Sequence, residues 1–307
     1  MLKRPMLVGL FIAAMTCWPR PASLPHRLSV VQSDQEKSGL MDHRFPSPGG
    51  QEQRTDQAKN GAGTEPGKML LEQVRRQVLD LASQLPDFVV GQKIYRYFGV
   101  RKTGPWFALD DLELELTYET GKGEQTRLVK HNGKATSEAY SKLHGALSFG
   151  VFSSVLAPLF KTAAKTEFAL MEHKRFHGHD AVIYSFSVAQ SNSRLSIGVN
   201  GSGQSIYVAY GGRIWVDPSA KQVMRIEEAS EVLPESSKAN YEQVTVEYGW
   251  ARVGAEKLML PVSAEIVLGE RRAHGDDYFR SVIKFSNYHK FGGEIRLAPA
   301  PPQSPNE

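Results

Sequence analysis

The chain has 307 residues, of which 37 are basic and 33 acidic, giving a formal net charge of +4. This small positive excess is not gathered into a basic block, so the composition argues against nucleic acid as a partner. The only cysteine, Cys17, excludes a disulfide framework, a thiol nucleophile and a cysteine-based metal site from the rest of the chain.

The first residues have the layout of a secretory signal peptide. Lys3 and Arg4 precede an apolar stretch at residues 6–16. A charged start before such a stretch is typical of export, and the stretch is too short to span a bilayer as a helix. We therefore predict a signal peptide over residues 1–23, an exported and periplasmic protein, and no transmembrane span in the mature chain. Cys17 directly follows the apolar stretch, so lipid anchoring at this residue stays open.

Composition divides the remaining chain into one domain between two polar segments. Residues 24–67 and 299–307 are rich in Ser, Gln, Gly and Pro, which predicts a disordered linker and a disordered tail. Residues 68–298 are left for a single domain, and it begins with an amphipathic helix that Pro86 stops. The apolar residues of this helix recur at steps of three and four: Leu71, Val74, Val78, Leu81, Ala82 and Leu85.

Beyond the helix, apolar and polar residues alternate with a period of two. Leu112, Leu114 and Leu116 alternate with Glu113 and Glu115, which places the leucines on one face of a strand. About a dozen such strands with hardly any helix among them predict one large curved antiparallel sheet. The predicted strands lie around 88–99, 110–119, 125–131, 166–174, 181–189, 194–199, 205–210, 213–217, 222–229, 241–250, 257–268 and 277–290.

Turns and one insert interrupt the strand pattern. Gly211-Gly212 and residues 217–220 predict hairpin turns. Residues 137–161 are rich in Ala, Ser, Leu and Phe, with apolar residues at helical steps. This segment predicts one or two short apolar helices inserted between strands.

The polar clusters do not assemble into a catalytic or metal-binding motif. His177-Gly178-His179-Asp180 has metal-like spacing, but polar residues in a tight hairpin turn explain it more simply. A metal-dependent hydrolase centred on these histidines stays open as an alternative. Asp110-Asp111 and Asp276-Asp277 point to opposite faces of a strand, and we interpret both pairs as turn residues. We therefore predict no catalytic residue, no metal ligand and no cofactor.

The apolar insert carries most of the candidate ligand-binding residues. An apolar segment above a sheet is either a plug that fills the core or a movable lid over a cavity, and both need the same residue types. The lid or cavity candidates, with two aromatic residues that precede the second strand, are Trp106, Phe107, Phe149, Phe152, Leu156, Leu159 and Phe160.

Residues 69–291 run in the order helix, strands, apolar insert and further strands. Together with Leu85-Pro86-Asp87-Phe88, the hairpin at Tyr210–Asp217 and Val223-Met224-Arg225-Ile226, this order resembles the periplasmic lipoprotein carrier and outer-membrane lipoprotein receptor superfamily. The resemblance implies an open half-barrel of about eleven strands, its concave face covered by an N-terminal helix and the helical insert. In the carriers an arginine near the cavity mouth helps latch the lid, so the resemblance makes Arg96 or Arg101 the matching candidate.

Two functions follow from this resemblance. The first is a non-enzymatic exported protein that shields an apolar guest, such as an acyl chain, a lipid or a lipoprotein anchor. Apolar area alone can hold such a guest, since each buried CH₂ contributes about 0.8 kcal/mol. The second is a structural, protein-interaction or sensor module of the cell envelope, whose core is permanently filled and which binds a protein partner.

Overall fold

The computed structural model describes most of the predicted domain and a short segment near the N-terminus. The described residues are 10–12, 65–143, 155–199, 204–230, 233, 235, 237, 239–273 and 275–291. Their helices and strands are β1 (Leu10–Ile12), α1 (Glu65–Gln84), β2 (Phe88–Gly99), β3 (Phe107–Glu119), β4 (Gly123–His131), β5 (Lys134–Ala135), α2 (Leu156–Phe160), β6 (Glu167–Phe176), β7 (His179–Val188), β8 (Leu195–Val199), β9 (Gln204–Tyr207), β10 (Tyr210–Asp217), β11 (Gln222–Ser230), β12 (Ala239–Val253), β13 (Glu256–Glu270) and β14 (Asp277–Lys290). Short 3₁₀ turns occupy Tyr140–Lys142, Thr162–Ala164 and Gln190–Asn192.

The dominant element is an open antiparallel sheet of eleven strands. Its strand order is β5-β4-β3-β2-β14-β13-β12-β11-β10-β7-β6, so β5 and β6 are the two edges. The first and last long strands of the sequence, β2 and β14, pair in the middle of the sheet. The predicted mainly β fold with one large antiparallel sheet is confirmed.

Two predicted strands lie outside this sheet. β8 and β9, predicted at 194–199 and 205–210, pair with each other antiparallel. β1 pairs with β8 in the parallel direction, with Leu10 opposite Leu195. Local alternation identified β8 and β9 as strands, but it carries no information about which sheet a strand joins.

One face of the large sheet, the concave face, packs against both helices. Val74 and Val78 of α1 are buried there, as are Leu159 and Phe160 of α2. They join the strand residues with the expected period of two, such as Leu112, Leu114 and Leu116 of β3, in one core cluster. Helix α1 therefore packs most of the predicted apolar stripe against the core, with Leu71 and Leu81 half-buried and Ala82 exposed.

The opposite face carries ion pairs above a small aromatic cluster. The guanidinium groups of Arg213 and Arg225 each approach Glu227 to 2.7 Å. Both guanidinium groups also lie over the ring of Trp215, which packs with Met224 in a second, smaller apolar cluster. This face is thus polar at its surface, while the main core lies under the helices.

The prediction of a hairpin turn at Gly211-Gly212 was wrong, because both glycines lie inside β10. A Cβ atom placed on Gly212 would come within 1.8 Å of the Glu227 carbonyl oxygen of the neighbouring strand. Glycine is required there for a close approach of two backbones. The turn predicted at residues 217–220 is confirmed, since the Asp217 carboxylate accepts hydrogen bonds from the backbone N–H groups of Ser219 and Ala220.

Candidate ligand cavity on the concave face

An apolar cavity lies between the two helices and the concave face of the sheet. Its volume is about 80 Å³. Helix α1 and the residue after it contribute Val78, Leu81, Ala82 and Leu85, and α2 contributes Leu156 and Ala157. The sheet contributes Tyr118, Gln222, Val223, Tyr248, Met259, Leu260 and Pro261.

Among the described residues, polar side-chain contacts at three places tie α1 to the rest of the domain. The Tyr184 hydroxyl donates to the Gly67 carbonyl at 3.0 Å, near the start of the helix. Arg75 donates to the Thr162 hydroxyl, just after α2, at 2.8 Å. The side-chain amides of Gln77 and Gln222 meet at 2.6 Å beside the cavity. Apolar packing of Val74 and Val78 in the core accompanies these polar contacts.

Two tyrosines, Tyr118 and Tyr248, line the cavity, and a third, Tyr288, contacts the lining residue Pro261. The Tyr288 hydroxyl donates to the Pro261 carbonyl at 2.6 Å. Tyr118 stacks on Phe88 with ring centroids 5.3 Å apart. The hydroxyl oxygen of Tyr248 is buried and has no hydrogen-bond partner among the described residues. Burial raises the pKa of the Tyr248 hydroxyl, and the charge of Glu228 raises it further, so this group stays protonated at neutral pH.

Two buried carboxyl groups extend the polar part of the same face. Glu228 and Glu242 are 4% and 1% exposed. Burial raises the pKa of Glu242 to about 8, and burial together with the Glu242 charge raises the pKa of Glu228 well above its usual value. Neither oxygen of the Glu242 carboxyl group makes a hydrogen bond within the described parts of the chain. At neutral pH Glu242 is therefore mainly a neutral acid, and the pKa of Glu228 is shifted in the same direction.

The structure separates the predicted ligand-binding residues. Leu156 lines the cavity, while Leu159 and Phe160 are buried in the core, where the Phe160 ring stacks on Phe168 at 5.4 Å. Trp106 packs near Gly99 and Gly104, and Phe107 begins β3 with 47% of its surface exposed. The cavity lining includes neither of these two aromatic residues. The remaining candidates, Phe149 and Phe152, lie outside the described residues.

Arg96 is held inside the fold by a carboxylate. Its guanidinium donates to both oxygens of Asp110, at 2.6 and 2.5 Å. His131 contacts the same carboxylate at 2.9 Å. The interpretation of Asp110 as a turn residue was therefore wrong, because this residue lies within β3 and pairs with a neighbouring strand. Arg101, the other arginine suggested by the family resemblance, is exposed just after β2.

The metal-like histidine cluster forms a hairpin turn. His177 and Gly178 connect β6 to β7, both with positive φ, of 47° and 82°. His177 Nε2 lies 3.6 Å from a carboxylate oxygen of Glu247. Within the described residues there is no group of three or more His, Cys, Asp or Glu side chains that could hold a metal ion.

The sequence analysis did not single out Tyr118, Gln222, Tyr248, Met259 or Pro261 as ligand-contacting residues. Their only sequence signal is membership of alternating strands, and every strand of the sheet gives that signal. Tyr248 and Met259 become neighbours of α1 only through the pairing of β12 with β13 and the placement of the helix above both.

The comparison with known proteins gives likenesses of fold. No protein-family model matches this sequence, and no curated protein matches it. A domain described as an outer membrane lipoprotein-sorting protein from Vibrio parahaemolyticus is similar at 10% identity and a TM-score of 0.36, covering 73% of this chain and 94% of that chain. A DUF1329 family protein from Desulfovibrio piger is similar at 10% identity and a TM-score of 0.34, covering 76% and 96%. A chain in the complex of MucA and MucB from Pseudomonas aeruginosa is similar at 11% identity and a TM-score of 0.21, covering 70% of this chain and 93% of that chain.

The chain has an open antiparallel sheet with one face covered by helices. The open eleven-stranded sheet with helices on its concave face is the arrangement that the resemblance implied. The predicted sheet architecture is therefore confirmed. Across the described ranges, no helix combines the length and apolar character needed to cross a bilayer.

Proposed function

We propose that this protein is an exported, non-enzymatic carrier that shields an apolar guest between α1, α2 and the concave face of its sheet. The guest is an acyl chain, a lipid or a lipoprotein anchor. The observation that carries the proposal is the apolar cavity beneath the two helices. Export is supported by the charged and apolar pattern of residues 1–23.

The size of the cavity sets a condition on this function. An apolar cavity of roughly 150 Å³ is needed to hold a guest the size of benzene, and this cavity measures about 80 Å³. An acyl chain therefore enters only if the two helices above the cavity, α1 and α2, move. The apolar packing of α1 in the core and the shortness of α2 support such a movement, because apolar packing is non-directional and can re-form around a guest.

The first test is native mass spectrometry of the mature protein purified from bacterial periplasm without detergent. We expect an added mass that matches a phospholipid or an acyl chain and that organic extraction removes. The bare protein is then offered a pyrene-labelled alkane, whose fluorescence reports transfer into an apolar site. A protein that carries no lipid and takes up no alkane contradicts the carrier function.

Two variants test whether the labelled alkane binds in the cavity. Ala157→Phe adds a large ring to the cavity lining, and we expect it to reduce alkane uptake at least tenfold. Ala163→Phe adds the same ring at an exposed position of the adjacent 3₁₀ turn and should leave uptake unchanged. Equal uptake by both variants would place the guest elsewhere on the protein.

A protein-interaction or sensor role is the second candidate. It is favoured by the degree to which Val74 and Val78 of α1 and Leu159 and Phe160 of α2 already fill the concave face. If neither lipid nor alkane binds, the core is permanently filled by the protein's own side chains. The expected partner is then another protein of the cell envelope.

A further inference from the structure

Tyr248 places an unused hydrogen-bonding group beside the apolar cavity. Its side chain lines the cavity, and its hydroxyl is buried without a partner among the described residues. Buried polar groups in proteins are almost always paired, and an unpaired one costs free energy. Among the described residues this hydroxyl is therefore an exception, and a bound molecule could supply its partner.

The immediate backbone does not supply that partner. Tyr248 stands opposite Pro261 in the pairing of β12 with β13, and proline has no N–H to donate. The Pro261 carbonyl already accepts the hydrogen bond of Tyr288, at 2.6 Å. Two phenols thus lie beside the same proline, and only one of them is hydrogen-bonded to it.

We infer that the Tyr248 hydroxyl donates a hydrogen bond to a neutral carbonyl, of an ester or an amide, carried by the apolar guest. This inference rests on the carrier function proposed above and narrows the class of guest. The acyl chain would occupy the apolar lining, while its carbonyl group would lie at Tyr248. The guest is then an acylated molecule and not a pure hydrocarbon.

A free carboxylate fits this position less well than a neutral carbonyl. The described residues that line the cavity include no lysine or arginine. Burying a carboxylate without a cationic partner is strongly unfavourable. The acid Glu228 also lies close enough to influence Tyr248 electrostatically, and it would repel a second negative charge whenever it is ionised.

The test compares three pyrene-labelled probes of equal chain length: an alkane, an acyl methyl ester and the free acid. Wild-type protein should bind the ester more tightly than the alkane or the acid. Tyr248→Phe should weaken ester binding about fivefold, the value of one net hydrogen bond, and leave alkane binding unchanged. Tyr288→Phe is the matched control, since it removes a phenol oxygen that is already hydrogen-bonded within the protein, and it should preserve the preference for the ester.

The stability of the empty protein gives a second readout. Tyr248→Phe removes an unpaired buried oxygen, so its Tm should be equal to or higher than that of the wild type. Tyr288→Phe breaks an existing hydrogen bond, so its Tm should fall. This opposite pair of shifts supports the assignment, whereas a lower Tm for Tyr248→Phe would mean that its hydroxyl is already satisfied within the protein.

The outcomes separate this inference from the carrier function. Uptake of no probe by the wild type overturns the carrier function and the inference with it. Uptake of all probes with no ester-selective loss in Tyr248→Phe overturns the inference alone. If Tyr288→Phe shows the same ester-selective loss, the hydrogen bond cannot be assigned to Tyr248. If wild-type protein binds the free acid more tightly than the ester, the inference that the guest presents a neutral carbonyl is wrong.

Discussion

The guanidinium of Arg96 donates hydrogen bonds to both carboxylate oxygens of Asp110, its partner on the neighbouring strand: Arg96 lies in β2 and Asp110 in β3. Both side chains are almost fully buried, at 5% and 8% exposure. Such a pair is costly to break from one side, because the remaining charge stays buried without its partner. The pair therefore fixes the register of these two strands at the end where β2 finishes.

We expect Arg96→Met to lower the free energy of unfolding by about 3–5 kcal/mol, since it leaves the Asp110 carboxylate buried beside His131 alone. The measurement is urea unfolding followed by circular dichroism. The control is Arg127→Met, which breaks the exposed pair with Glu115 at 3.0 Å and should cost less than about 1 kcal/mol. Similar losses in the two variants would show that the buried pair has no special role.

Glu242 should make the protein less stable as the pH rises. Its folded-state pKa of about 8 lies above the ordinary value of 4.5, so between these values the folded state binds more protons than the unfolded state. Stability then falls as pH rises through this window and levels off above it, with a total change on the order of 5 kcal/mol from this group.

Glu242→Gln should flatten this dependence, and the readout is the slope of the unfolding free energy between pH 5 and pH 8. The slope is a better measure than the absolute value, because the new amide also needs hydrogen bonds at every pH. Glu256→Gln, at an exposed position of the β12–β13 hairpin, is expected to keep the wild-type slope. An unchanged slope in Glu242→Gln would show that Glu242 ionises normally in the folded protein.

Gly212→Ala should destabilise the fold by more than about 3 kcal/mol, because the new methyl group would collide with the backbone of Glu227. Gly121→Asn is the control: this glycine lies in a turn with φ of +80°, and a Cβ there would meet no atom within 4 Å. Asparagine tolerates positive φ, so this change should cost little. Thermal unfolding of both variants measures the difference, and a stable Gly212→Ala protein would contradict the close backbone approach.

Processing of the N-terminus can be read from the intact mass of the exported protein. We expect loss of residues 1–23, since Lys3 and Arg4 precede a short apolar stretch. Lipid anchoring would instead leave a chain that begins at Cys17 and carries acyl mass, and Cys17→Ser would remove that mass. A full-length mass would contradict cleavage and would keep Leu10–Ile12 available to pair with β8.

Several elements could be predicted from the sequence because their signals are local. The alternation at Leu112, Leu114 and Leu116 reflects a strand with one buried face, and the spacing of Val74 and Val78 reflects a helix with one buried stripe. These periods of apolar residues can be recognised without knowing which elements pack against the strand or the helix. The strand at Phe88–Gly99 was predicted with the bounds that the structure shows.

Other features arise only when distant segments meet. Gly211-Gly212 looks like a turn in isolation, and only the approach of β11 shows why glycine is needed within a strand. Asp110 looked like a turn residue because its partners, Arg96 and His131, lie 14 and 21 residues away.

Because burial of one face imposes a short-range period on the residues, the amino-acid sequence alone predicts a sheet preceded by an amphipathic helix. The strand order of the large sheet, and the sheet residues that lie beneath the helices, can be read only from the folded structure. The fold also leaves the Tyr248 hydroxyl without a partner among the described residues, in a side chain that lines the apolar cavity. Such contacts depend on strand order and helix placement, which arise from many weak long-range contacts and leave no period in the chain.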